Sequence, residues 1–225
     1  MSEGRGRLVL FAREPVAGRV KTRLAAALGR GPAALLYAAF LEDLSGALRG
    51  PWEGVVAHDG VAGPRLRAAF GDGWRFAPQG EGGLGERMAR AAASALSDGA
   101  GRVVLAGSDA PTLTAREVEA AFDALVAADV VFAPSPDGGF SLVGLRPPAD
   151  PAALFSGVAW SSALAFRETR GNAERAGLAV ALLPAVPDVD VAGDLGPLLE
   201  ALRKEPALAP ATRRALAAHD EVPVR

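Results

Sequence analysis

Short apolar runs that each end in a polar turn, separated by stretches of helical spacing, constrain this chain more than any other feature. Leu8-Val9-Leu10-Phe11, Val55-Val56-Ala57, Arg102 to Ala106, Asp129 to Ala133 and Leu178 to Leu183 read as strands, with a weaker one at Trp74 to Ala77. Helices are expected over Lys21 to Leu28, closed by Gly29 and Gly31, and from Pro32 to about Leu48. Further ones run over Pro64 to Phe70, from the glycine-rich loop to about Leu96, and after Thr114, with Glu117 completing a capping box. Another opens at Trp160-Ser161-Ser162 and runs to about Arg170, loosened at Gly171. The last two pass through Leu195, Leu198, Leu199 and Leu202, and over Pro206 to His219. Expected core stripes are Leu35, Leu36, Ala39, Phe40, Leu44 and Leu48, and Leu84, Met88, Ala92 and Ala95; His58 is expected at the surface end of its strand. Such alternation calls for an α/β fold with a mostly parallel sheet and helices on both faces. Ser141 to Leu145 is expected to return antiparallel. A length of 225 residues fits one domain, with a core over about 7–204 and a helical tail over 205–225.

In an open sheet of this kind ligands gather outside the carboxyl ends of the strands. The segment leaving the first strand, residues 13–23, carries Arg13, Arg19, Lys21 and Arg23 against one acid, Glu14. A basic loop between a strand and a helix suits phosphate, because backbone N–H groups and cationic side chains converge there. It is neither a dinucleotide fingerprint nor a Walker A loop. Gln79 to Met88 is glycine-rich, and Arg87 within it is placed to reach a phosphate. Asp109, Asp137, Asp188 and Asp190 all follow strand ends. Asp109, with Asp190 or with Asp188 beside it, suits a hard cation, Mg2+ or Mn2+, which takes one or two carboxylates plus phosphate oxygens and waters. Taken singly, each aspartate also fits a turn or a helix cap.

Composition removes other chemistries. The chain has no cysteine, so it has no disulfide frame, thiolate nucleophile or thiolate-held zinc. His58 and His219 are the two histidines, which argues against histidine triads and multi-histidine metal sites. A net charge of −2 and 6% aromatic residues disfavour nucleic-acid binding. No run approaches the ~18 apolar residues of a membrane span, and the polar start MSEGRGR lacks a signal-peptide core, so a cytoplasmic location is the expectation.

The ordered motifs FAREPVAGRVKTRL, GLGERM, GSDAPTLT, PDGGFSLVGL, the Trp160 segment and DVD-x-x-x-DL resemble a bacterial family of small GT-A-fold proteins. These are nucleotide-diphospho-sugar transferases or arsenosugar-type glycosyltransferases, long carried as a domain of unknown function. The match covers roughly residues 7 to 200. The same fold houses nucleotidyltransferases of molybdopterin, isoprenoid and phospholactate metabolism, and Lys21-Thr22-Arg23-Leu24 is similar to the K-[ST]-R-L of the phospholactate guanylyltransferases. The resemblance implies nucleotide and phosphate binding through Ala12, Arg13, Gly18, Arg19, Lys21 and Arg23, with Arg87 added. It implies metal binding through Asp109 and Asp190, with Asp188 adjacent. Asp137 becomes the candidate for acceptor binding or general base, and Gly138, Gly139 and Trp160 fall on the acceptor or sugar side. This chain departs from the family in three places: Ala192-Gly193 where Thr-Pro-Glu is usual, Phe140 where tyrosine is frequent, and Arg13 where lysine is frequent.

The first reading is a metal-dependent transferase that moves a sugar from a nucleotide-sugar donor to a small-molecule acceptor. The second is nucleotidyl transfer to a phosphorylated small molecule. The third is a nucleotide-binding module without catalysis, against which the retention of both acidic motifs argues. Base, sugar, acceptor and oligomeric state are not encoded in any motif.

Overall fold

The strands carry apolar side chains on both faces, and in the computed structural model each face is covered by its own layer of helices. The structure describes residues 5–220; residues 1–4 of the polar start and the last five of the expected tail lie outside it. Seven strands form one sheet: β1 (Gly6–Ala12), β2 (Glu53–His58), β3 (Arg75–Pro78), β4 (Arg102–Gly107), β5 (Val130–Pro134), β6 (Phe140–Leu145) and β7 (Val180–Leu182). Their order across the sheet is β3-β2-β1-β4-β6-β5-β7. β6 runs antiparallel to both of its neighbours, β4 and β5, and the remaining pairings are parallel. This is the mixed, mostly parallel α/β sheet that the strand–helix alternation calls for.

Side-chain alternation sorts the core. Leu8, Leu10, Val104, Ala106, Val131 and Ala133 point to one face, and Val9, Val103, Leu105, Val130 and Phe132 to the other. With both faces dry, such strands are near-continuous apolar runs. The first face is packed by α2 (Arg30–Ala47), α3 (Pro64–Phe70), α5 (Ala115–Ala124) and α8 (Leu195–Lys204). The second is packed by α4 (Leu84–Ser97), α6 (Pro151–Leu154) and α7 (Ala165–Arg175). The remaining helices are α1 (Ala25–Leu28) and α9 (Pro210–Asp220).

Several boundaries differ from the expected ones for identifiable reasons. The helix expected from Lys21 shrinks to α1, because Lys21 has a left-handed backbone, φ +46°, which no helix accommodates. Gly29, at φ +87°, ends α1, and α2 starts at once, so Gly31 and Pro32 form its first turn instead of a gap. The helix expected at Trp160 begins only at Ala165, after turns that include Ser161 at φ +61°; it then continues through Gly171 without a break. Leu35 is 63% exposed and Leu84 44% exposed, so neither belongs to the core stripe of its helix. His58 is buried instead of superficial, with Nδ1 3.1 Å from the Gly60 carbonyl. The capping box at Thr114 forms: the Thr114 hydroxyl and backbone N–H donate to Glu117 at 2.6 and 2.9 Å. Burial raises the Glu117 pKa, but the two Thr114 bonds and Arg116 outweigh it and hold the carboxyl below its usual range.

The carboxyl-terminal helix is docked by a long-range cap. The buried Asp43 carboxylate, on α2, accepts the N–H groups of Ala211 and Thr212 at 2.8 and 2.7 Å. These are first-turn N–H groups of α9, left without partners by the helix itself. Asp43→Ala is expected to destabilise the protein by roughly 1–3 kcal/mol. Urea unfolding measures that loss, and faster proteolysis of residues 205–209 reports release of α9.

Candidate active site

Every strand but β6 delivers its carboxyl end to one edge of the sheet, and there the loops enclose an open crevice of about 870 Å³. Ala12, Arg13, Arg19, Lys21, Thr22 and Arg23 line it from the β1–α1 loop. Ser108 and Asp109 line it from the end of β4, Asp137 and Gly139 from the β5–β6 turn, and Asp190 from the segment after β7. Gly82, Gly83 and Arg87 form a rim, while Leu84, Met88, Phe140 and Trp160 form an apolar wall.

The centre of the site is Lys21. Its side chain is 3% exposed, and its Nζ lies 2.5 Å from Asp109 Oδ1 and 2.9 Å from Asp190 Oδ1. Nζ also donates to the Val189 carbonyl at 2.7 Å. The ammonium thus donates hydrogen bonds to Asp190 and to the Val189 carbonyl and forms a close ion pair with Asp109. Lys21 is therefore engaged with the acidic pair in this structure. Arg19 and Arg23 are exposed, and neither forms an ion pair among the described residues. Arg13 pairs with Asp59 at 3.1 Å. Arg87 is held by the Gly82 carbonyl at 2.8 Å, by Gln79 Oε1 at 3.3 Å and by Asp59 at 3.5 Å. Further bonds fasten the glycine-rich loop: Arg90 donates to the carbonyls of Gln79 and Glu81, and Gly83 N–H donates to Glu86 at 2.7 Å.

The two acidic segments are joined by backbone as well, with Val189 N–H donating to the Asp109 carbonyl at 2.9 Å. Asp194 fills the place left by the missing Thr-Pro-Glu. Its Oδ2 accepts the N–H groups of Asp190 and Val191 at 2.7 and 2.8 Å, so the Ala192-Gly193 departure leaves the loop capped. Asp188 does not line the crevice; its Oδ1 accepts the Ser135 hydroxyl at 2.6 Å. Burial, aided by the nearby Asp137 and Asp190 charges, raises its pKa despite the Ser135 bond. Of the adjacent pair, Asp190 alone is at the crevice. Gly18 and Gly138 also lie off the lining. Asp137 Oδ1 accepts the Gly139 N–H at 2.9 Å, which shapes the β5–β6 turn.

Tyr37 and Gln79 were not singled out as site residues from the sequence. Tyr37 OH accepts the Arg13 N–H at 3.0 Å and lies 2.8 Å from Ser108 Oγ, joining the two loops behind Lys21. Burial first, then the Asp109 charge, pushes the phenol well above its ordinary pKa, so it stays protonated. Its only sequence signal was being the one tyrosine, placed on an apolar helix. Gln79 is buried and donates to the Ala57 carbonyl at 2.8 Å.

Close approaches hold the apolar wall. Trp160 meets Phe140 edge-on, with ring centroids 6.1 Å apart, and Phe155 at 6.2 Å. A Cβ on Gly138 would overlap the Ala163 backbone, and one on Gly85 would overlap the Trp160 indole and come within 2.7 Å of the Phe155 carbonyl. Gly85→Ala is informative because alanine is favoured over glycine inside a helix by about 1 kcal/mol. It is nevertheless expected to destabilise the protein and to shift the Trp160 fluorescence and near-UV circular dichroism, with Gly46→Ala in α2, where nothing lies within 4 Å of the added Cβ, as the control for the method.

The profile of the bacterial family described as "Uncharacterized protein conserved in bacteria (DUF2064)" matches residues 44–162. No curated protein matches the chain. Among solved structures, a protein of Desulfovibrio desulfuricans G20, provisionally described as a nucleotide-diphospho-sugar transferase, superposes with a TM-score of 0.89 at 33% identity, covering 98% of this chain and 96% of that one. CMP:2-keto-3-deoxy-manno-octonic acid synthetase complexed with CTP superposes at 0.53 with 15% identity, over 89% of this chain and 99% of that one. Rv0371c of Mycobacterium tuberculosis H37Rv complexed with manganese does so at 0.53 with 20% identity, over 88% and 100%. The last two share the fold alone. The chain has the nucleotide-diphospho-sugar transferase fold and belongs to the DUF2064 family.

Proposed function

We propose that this protein is a divalent-cation-assisted transferase that takes a nucleotide-sugar as donor and glycosylates a small-molecule acceptor. The observation that carries the reading is one crevice in which the guanidiniums of Arg19 and Arg23, without an ion pair among the described residues, share the lining with the paired carboxylates of Asp109 and Asp190. Such cations suit an incoming diphosphate. The name of the Desulfovibrio relative supports the same donor class.

The donor set fits a hard cation. Asp109 and Asp190 have side chains 49% and 43% exposed, and Lys21 contacts the Oδ1 atom of each. Among the described residues no group of three or more acidic, histidine or cysteine side chains converges. Phosphate oxygens and waters would complete the shell. The manganese complex of Rv0371c is consistent with this on a shared fold. A bound magnesium or manganese ion would supply neutralisation of the charge that builds on the departing nucleoside diphosphate. Arg19 and Arg23 orient that diphosphate. Asp137 is the candidate base for the acceptor hydroxyl, whose oxygen forms the new bond to the anomeric carbon as the bond to phosphate breaks. Leu84, Phe140 and Trp160 exclude water from the sugar side. The exposed guanidiniums of Arg19 and Arg23 also suit a triphosphate, which sustains nucleotidyl transfer as the second reading.

A thermal-shift panel of UDP- and GDP-sugars and nucleoside triphosphates, with and without manganese, tests this reading. A ligand at ~100 times its Kd stabilises by about 2.7 kcal/mol, a rise of roughly 5–10 °C for a chain of this size. A manganese-dependent rise with a nucleotide-sugar, lost in Asp109→Ala, is the expected result. A rise confined to triphosphates, with pyrophosphate released on adding acceptor, would replace glycosyl with nucleotidyl transfer.

A further inference from the structure

We infer that the Lys21 ammonium is the resident cation of the Asp109–Asp190 pair in the nucleotide-free protein, so that a divalent cation enters the site together with nucleotide phosphates and not before them. This rests on the reading of Asp109 and Asp190 as the cation-binding pair. Three observations carry it. First, Nζ donates to Asp190 and to the Val189 carbonyl and is ion-paired with Asp109, and its side chain is 3% exposed. Second, the left-handed backbone at Lys21, φ +46°, turns this side chain inward while its neighbours Arg19 and Arg23 stay exposed. That conformation is unfavourable for any residue with a Cβ, so the surroundings must hold it. Third, the ammonium lies over the rings of Tyr37 and Phe40, 6.0 and 5.6 Å from their centroids, which adds cation–π attraction on the buried side.

Charge then sets the order of events. Two carboxylates and one ammonium leave a net charge of about −1, and an entering divalent ion also meets the repulsion of the ammonium. The pair alone is a poor site for it. Phosphate oxygens add negative ligands, and Arg19 and Arg23 hold those phosphates in the crevice. The outer oxygens of both aspartates are then available, while Lys21 keeps Oδ1 of each in place. Lys21 is thus a positioning residue for the acidic pair and not a phosphate ligand.

Isothermal titration of manganese into the whole chain tests this. Wild type without nucleotide is expected to bind manganese weakly. Lys21→Met, which keeps the length of the side chain and removes its charge, is expected to bind at least about tenfold more tightly. Lys21→Met/Asp190→Asn is expected to lose that gain. Circular dichroism establishes that each variant is folded. Equal manganese affinity in wild type and folded Lys21→Met would overturn the inference while leaving the acidic pair as a metal site. Absence of manganese binding in folded Lys21→Met, both alone and with inorganic pyrophosphate, would instead remove the metal reading and the inference with it. Pyrophosphate binding without metal gives a second readout. It is expected to stay within about twofold in Lys21→Met and to fall in Arg23→Ala; a loss in Lys21→Met as large as that in Arg23→Ala would make Lys21 a phosphate ligand and overturn the inference.

Discussion

One buried ammonium ties the site together. Asp109 follows β4, Asp190 follows β7, and Lys21 belongs to the loop after β1; their side chains meet at a single Nζ. Without it, two carboxylates would face each other across the crevice. The unfavourable backbone at Lys21, the shortened first helix and the Tyr37 bridge to Arg13 and Ser108 all serve the same placement. A buried charge tolerates this setting when it is paired and hydrogen-bonded, and here it donates to Asp190 and to the Val189 carbonyl and pairs with Asp109.

The reversed strand gives the crevice its second wall. β6 inserts antiparallel between β4 and β5, so the chain turns back at Asp137-Gly138-Gly139 on the edge where the parallel strands end. Asp137 thereby lines the same crevice as Asp109. Phe140, at the start of β6, packs edge-on against both Phe132 and Trp160. The ring of Phe140 thus gives this part of the crevice an apolar wall. Two glycines without room for a Cβ, Gly85 and Gly138, set how closely the Trp160 segment approaches.

Much of the architecture was legible before any coordinates. The strand runs, the antiparallel return, Pro64–Phe70 and the Thr114–Glu117 box all reflect local chemistry: burial on two faces, fixed φ, and an N–H in reach of a nearby carboxylate. The crevice residues Asp109, Asp137, Asp190, Arg19, Arg23 and Trp160 were legible too, because they follow strand ends or sit in ordered motifs. Less accessible were relations between side chains. Asp188 and Asp190 are two residues apart in an extended segment, and nothing in their spacing says that one turns to Ser135 and the other to Lys21. Leu84 fits the apolar period of α4 but lies at its first turn, beyond the reach of the sheet.

The sequence by itself determined most of the strands and helices and which strand ends carry acid or base. Those properties depend on neighbours a few residues away. Tertiary structure alone decided which charges pair at the crevice. Lys21 and Asp190 are 169 residues apart in the chain and 2.9 Å apart in space. Pairing there depends on that second distance, on burial and on the hydrogen bonds that accompany it, and only the closing of the sheet sets them.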